Sequence, residues 1–152
     1  DVTIASSDSL NKSKADIVVD GENDQRILQG LLSCLTSNNI FIFGGSYHMK
    51  EFYQTTSSGQ YACLHTNEDR TLYKTISIKG EFSLRGESDR GVKLYFDCDE
   101  STMKDSVEYA GILVPRLSPN ENDTTLTKTI MELENIVVFG CTYLKKIIYI
   151  NK

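Results

Sequence analysis

Cys63 and His65 are the only near neighbours in this chain whose types suggest a nucleophile and its base. On a strand they share a face, but their backbones stand about 6.6 Å apart and the side chains run nearly parallel. Thiol and imidazole then lie beyond the roughly 3 Å contact that activation requires. His48 can approach from another strand, yet no recognisable orienting carboxylate or oxyanion-hole motif accompanies it. The expectation is a protein that is not an enzyme, with both histidines standing as partly exposed strand residues. Gly44 and Gly45 follow Phe43 without the spacing or the helix of a phosphate loop, so they read as a turn or bulge.

Cys34, Cys63, Cys98 and Cys141 are separated by 29, 35 and 43 positions, too far apart for a zinc ribbon or a redox Cys-x-x-Cys. No metal and no cofactor is expected. The even number and wide spread fit two disulfides in an oxidising compartment, against the alternative of four reduced core residues. Three pairings stay open.

A binding chemistry is more visible. Between Glu87 and Glu108, seven acids stand against three bases, an excess of four negative charges in a chain of net charge −5. Val92, Leu94, Phe96 and Cys98 alternate with Lys93, Tyr95 and Asp97, which places Tyr95 and Asp97 on the outer face of a strand and Cys98 in the core. Asp99 and Glu100 follow directly. An aromatic anchor beside carboxylates attracts a basic protein by steering and holds it through one desolvated ring. Tyr95, Asp97, Asp99 and Glu100 are therefore the candidate partner-binding residues. A calcium loop is not indicated, because Asp97-x-Asp99 lacks the remaining ligand order.

The elements that must position these residues are mostly strands. Residues 5–16 carry almost nothing that could be buried, so residues 1–16 read as a linker or arm, and residues 17–152 as a single domain. Asn23 offers a helix cap before Ile27, Leu28, Leu31, Leu32 and Leu35, whose spacing gathers one apolar side over about a dozen residues. Asn38 and Asn39 are placed to end that helix in a left-handed conformation. From Ile40 to Ile150 short alternating runs are cut by Gly, Asn, Asp and Ser, and the loop Gly86 to Gly91 carries a hairpin signal. Gly140 marks a bend in the apolar C-terminal run. No internal repeat is evident. The fold class expected is mainly β, a two-sheet β-sandwich with one short helix near the N-terminus.

With 152 residues the chain suits one domain with a real core. The negative charge argues against a nucleic-acid partner, and no window approaches a membrane span. No signal peptide opens the chain, and a secreted protein that starts after its export signal is expected. Asn11-Lys12-Ser13 and Asn122-Asp123-Thr124 are glycosylation candidates at Asn11 and Asn122, and lean the same way.

The runs Ile40 to Gly45, Gly91 to Cys98 and Val138 to Ile150 resemble the SECRET domain, the chemokine-binding module at the C-terminus of secreted tumour-necrosis-factor receptor homologues of orthopoxviruses. That resemblance implies a β-sandwich akin to viral CC-chemokine inhibitors, an extracellular location, and sequestration of host chemokines as immune evasion. It also implies TNF-binding cysteine-rich repeats preceding the chain. The long acidic loop of the viral inhibitors is missing, which implies a narrower chemokine range. Beside it stands an alternative reading, an extracellular adhesion or glycan-binding module without chemokine activity.

Overall fold

The computed structural model describes residues 2–34, 37–54, 72–78, 81–88, 91–105, 107–114 and 130–150. In chain order these give β1 (Val2–Ser6), a 3-10 turn (Lys12–Lys14), β2 (Ile17–Val19), α1 (Asp24–Cys34), β3 (Ser37–Ile42) and β4 (Gly45–Met49). There follow β5 (Tyr53–Gln54), β6 (Leu72–Ser77), β7 (Glu81–Gly86), β8 (Val92–Phe96) and β9 (Glu108–Val114). The chain closes with β10 (Ile130–Glu134), β11 (Ile136–Phe139) and β12 (Leu144–Ile150).

These strands form three sheets, in the orders β10-β7-β3-β1-β2, β11-β8-β4 and β12-β9-β6-β5. Every ladder is parallel except the short β5–β6 pair. The expected two-sheet β-sandwich is thus overturned in favour of an α/β arrangement of three sheets with one helix. The order of strands shows why: β3, β4 and β6 visit the three sheets in turn, β7, β8 and β9 repeat the circuit, and β10, β11 and β12 repeat it again. The described strands wind as a three-faced solenoid of three coils, each laid in parallel register on the one before. A parallel pair needs a long crossover. Here the other two sheets supply it.

The corner between β7 and β8 is accordingly no hairpin. The Glu87 amide donates to the Ile42 carbonyl at 2.9 Å and the Gly45 amide to the Gly91 carbonyl at 2.9 Å, so this corner bonds to the corner of the coil before it. The Glu87 carboxylate also accepts from the Gly44 amide at 2.7 Å. Inside, like positions stack: Ile40 on Leu84 on Leu133, Tyr47 on Leu94 on Val138, Ile76 on Ile112 on Ile148. These residues belong to one apolar cluster, and each fully buried member contributes roughly 1.5–3 kcal/mol. The repeat is one of volume and polarity, which is why no residue identity repeats.

Residues 1–16 were expected to be a loose arm, but they supply β1 and the 3-10 turn. Ile4, Ala5 and Ser6 are buried, because β1 is pinned between β2 and β3. Tyr47 ties β1 to the first coil: its hydroxyl accepts from the Ser6 amide at 3.1 Å and donates to the Phe43 carbonyl at 2.6 Å. Burial pushes that phenol upward in pKa. Asn38 and Asn39 lie in β3 rather than at a helix C-cap, since pairing with Phe82 and Ser83 fixes them as strand.

The helix is where the sequence places it, and its buried side is not purely apolar. Leu28 and Leu32 enter the core, and Asp24 and Gln25 are also buried. They cover the open edge of a sheet. The Asp24 carboxylate accepts from the amides of His48 at 2.8 Å and Gly21 at 2.9 Å, and Gln25 Oε1 accepts from the Lys50 amide at 3.2 Å. Gln29 accepts from the Ser77 amide at 2.6 Å and donates to the Ser77 carbonyl at 3.1 Å. Side chains of α1 thus satisfy backbone groups of β4 and β6 that would otherwise be left unpaired.

Burial raises the Asp24 carboxyl above its ordinary 3.8 more than the two amide hydrogen bonds lower it. Between the unfolded and folded pKa the native state binds the extra proton, so stability falls as pH rises through that window. Relative to Asp24→Asn, which does not titrate, the natural protein is expected to gain stability as pH drops from 7 towards 4. Urea midpoints of both proteins across that range test the sign, and a constant difference refutes it.

Candidate functional site

The outer face of the three-stranded sheet carries a row of rings. Parallel register superposes His48, Tyr95 and Phe139 from successive coils. Tyr95 stacks on His48 with centroids 5.0 Å apart and on Phe139 at 4.8 Å, both pairs within 10° of coplanar. Phe139 ends the row on an edge strand and is 41% exposed. The outward direction expected for Tyr95 and Asp97 agrees with this geometry. Cys98, expected in the core, sits instead past the end of β8 and is only partly buried.

The Asp97 carboxylate accepts from His48 Nδ1 at 2.8 Å, and the Asp97 amide donates to the Met49 carbonyl at 3.0 Å. Asp99 opens an exposed turn, where its carboxylate accepts from the amide of Ser101 at 3.1 Å and its hydroxyl at 2.6 Å. Those hydrogen bonds from Ser101 hold Asp99 below the ordinary carboxylate range. Glu100 is exposed in the same turn. The four candidate residues therefore lie along one wall, from the ring row to the turn after β8.

That wall borders a groove of about 690 Å³ at the corner where the chain leaves β4 and β8. Its lining includes Phe52, Tyr73 and Tyr109, with Asp97, Asp99 and Lys104 at the polar side. Phe52 meets Tyr109 edge-on at 5.4 Å, and Tyr73 tilts against it at 5.6 Å. The Tyr109 hydroxyl accepts from the Lys104 amide at 2.8 Å, fixing the far loop to the rings. Cys98 lines the groove and is bonded to Cys141, with Cα atoms 5.9 Å apart.

Most charges at this groove are already engaged. Glu51 accepts from Arg26 at 2.7 and 2.8 Å and from the Tyr53 hydroxyl at 2.8 Å, and these bonds, Arg26 first, hold it below the ordinary carboxylate range. Lys50 pairs with Glu22 at 3.0 Å. The result is a mixed, pre-organised polar rim facing an aromatic wall. Among the described residues no cluster of three His, Cys, Asp or Glu side chains is placed to hold a metal ion, and no helix is long and apolar enough to cross a membrane.

Of the other candidates, Cys63, His65 and Asn122 lie outside the described residues, as does the side chain of Cys34. Asn11 donates its side-chain amide to Glu87, so a glycan on that nitrogen would break a contact between the first turn and the second coil. Phe52, Tyr73, Tyr109 and Phe139 were not singled out from sequence. No signal in the sequence groups them, because they lie in different elements whose neighbours are set by the winding of the chain. No known protein family matches this chain, and no curated protein or solved structure is similar to it.

Proposed function

We propose that this domain is an extracellular recognition module that binds an oligosaccharide in the groove after β4 and β8. The observation that carries this reading is the pairing of an aromatic wall, Phe52, Tyr73 and Tyr109, with a rim of hydrogen-bonding groups of both signs. A sugar presents an apolar C–H face and a belt of hydroxyls, which is the complement of such a groove. The volume lies within the range of ligand sites, about 300–1,000 Å³. Rim carboxylates that already hold protein donors act as fixed acceptors rather than bare charges, and this suits hydroxyls better than a cation. The Cys98–Cys141 bond supports an oxidising compartment, and so secretion.

Capture of a chemokine, the partner class implied by the SECRET resemblance, is the second reading. It is favoured by the excess acid between Glu87 and Glu108 and by Asp97 and Asp99, which line the groove with Tyr95 and exposed Glu100 close by in sequence. In that case the domain acts as a viral decoy by occupancy, and salt weakens the complex.

One experiment separates the two: the same purified protein is applied to a glycan array and, by surface plasmon resonance, to a chemokine panel. The expected result is glycan hits whose affinity falls about tenfold in Tyr73→Ala, about 1.4 kcal/mol. Chemokine binding that is lost in an Asp97→Lys, Asp99→Lys double variant, with an empty array, establishes the second reading and removes the first.

A further inference from the structure

We infer that the ligand of this module is a polymer, whose chain leaves the groove at Asp97 and continues across Tyr95 to end on the open face of Phe139. The inference rests on the oligosaccharide reading and adds a second contact zone to it. Asp97 belongs to both places: it lines the groove, and it is bonded to the first ring of the row through His48. Tyr95 is the next outward residue on the same strand, about 7 Å away, and Phe139 lies about 5 Å further across the sheet. Tyr95 and Phe139 are paired on adjoining parallel strands, and Asp97 directly follows the end of β8.

The stacking decides what the row offers. Faces between His48, Tyr95 and Phe139 are occupied by one another, so the inner rings present edges and the Tyr95 phenol. The outer face of Phe139 has no ring upon it among the described residues, and the residue is 41% exposed although it sits among partly buried β11 neighbours. A pyranose laid on that face continues the stack, while the next sugar toward the groove bonds through its hydroxyls to Tyr95 and Asp97. A ligand confined to the groove leaves this apolar ring in water. A polymer covers it.

The test is calorimetric titration of the 152-residue chain with neutral β-1,4-linked gluco-oligosaccharides from disaccharide to hexasaccharide, alongside mannan- and polygalacturonate-derived series of the same lengths. In the series that binds, affinity should rise about tenfold from the shortest to the longest member. Phe139→Ala should abolish that rise and leave the disaccharide unaffected, and Phe139→Trp, which keeps a flat face, should retain it. Tyr73→Ala should weaken every length alike. Length-independent affinity, or a Phe139→Ala loss equal at all lengths, overturns the polymer inference and leaves groove binding standing. Absence of binding in all three series overturns both.

Discussion

Gly86→Ala is expected to lower the unfolding free energy by about 3 kcal/mol, one of the largest effects of any single methyl group in this protein. A Cβ on buried Gly86 would overlap the carbonyl oxygen of Asn135 and press the Val92 side chain at 3.0 Å. The obstacle is backbone, and Asn135 is itself held at φ 56° between β10 and β11. Neither can retreat without prising the third coil from the second, where strands stand at their hydrogen-bonding spacing of about 4.8 Å. Gly140→Ala is the control, since the atoms nearest its Cβ would be side-chain carbons of Leu144 and Ile147 at 3.2 and 3.4 Å rather than backbone. Urea denaturation of both variants should show a large fall in midpoint for the first and a change within about 1 kcal/mol for the second. An unchanged midpoint for Gly86→Ala is incompatible with stacked corners.

Breaking the Cys98–Cys141 bond should have a comparable effect. It links positions 43 apart, from the end of β8 to the residues after β11, and so encloses the passage from the second coil to the third. Loop closure of that kind stabilises by about 2–4 kcal/mol. Cys98→Ser with Cys141→Ser is therefore expected to lower the melting temperature by on the order of 5–15 °C. Because Cys98 also lines the groove, ligand affinity should drop in the same variant below its melting point. Peptide mapping without reductant that finds Cys98 joined to another cysteine, or a variant that melts with the natural protein, excludes this role.

Much of the local structure was legible in the residues, and little of its assembly. The leucine spacing after Asn23 gave α1, and the alternation from Val92 to Phe96 gave both a strand and its outward residues Tyr95 and Asp97. Period two says which side of a strand faces inward, but not which strand lies beside it. Glycines at both ends of residues 86–91 suit a hairpin and a solenoid corner equally, and only the hydrogen bonds to Ile42 and Gly45 decide between them. Ladders such as Ile40, Leu84 and Leu133 need similar volume rather than identical residues, so the repeat left no mark in the letters. The β-sandwich implied by resemblance failed for the same reason: short runs shared with a two-sheet fold carry no record of partner or direction. Phe52 and Tyr73 belong to the first coil and Tyr109 to the second, and Tyr109 meets both only once the chain has wound. Asp24 and Gln25 read as ordinary polar helix residues until the edge strand that they cover is known.

The coil-upon-coil stacking also governs how such a molecule tolerates change in length. Residues added at a corner lift away from the stack and leave the inward alternation intact on either side. A single residue added inside β7 or β8 turns every later side chain of that strand from oil to water. Growth is therefore cheap in whole revolutions or in protruding bends and ruinous in fractions, so a lineage built on this plan would diversify at its corners while its faces stay in step.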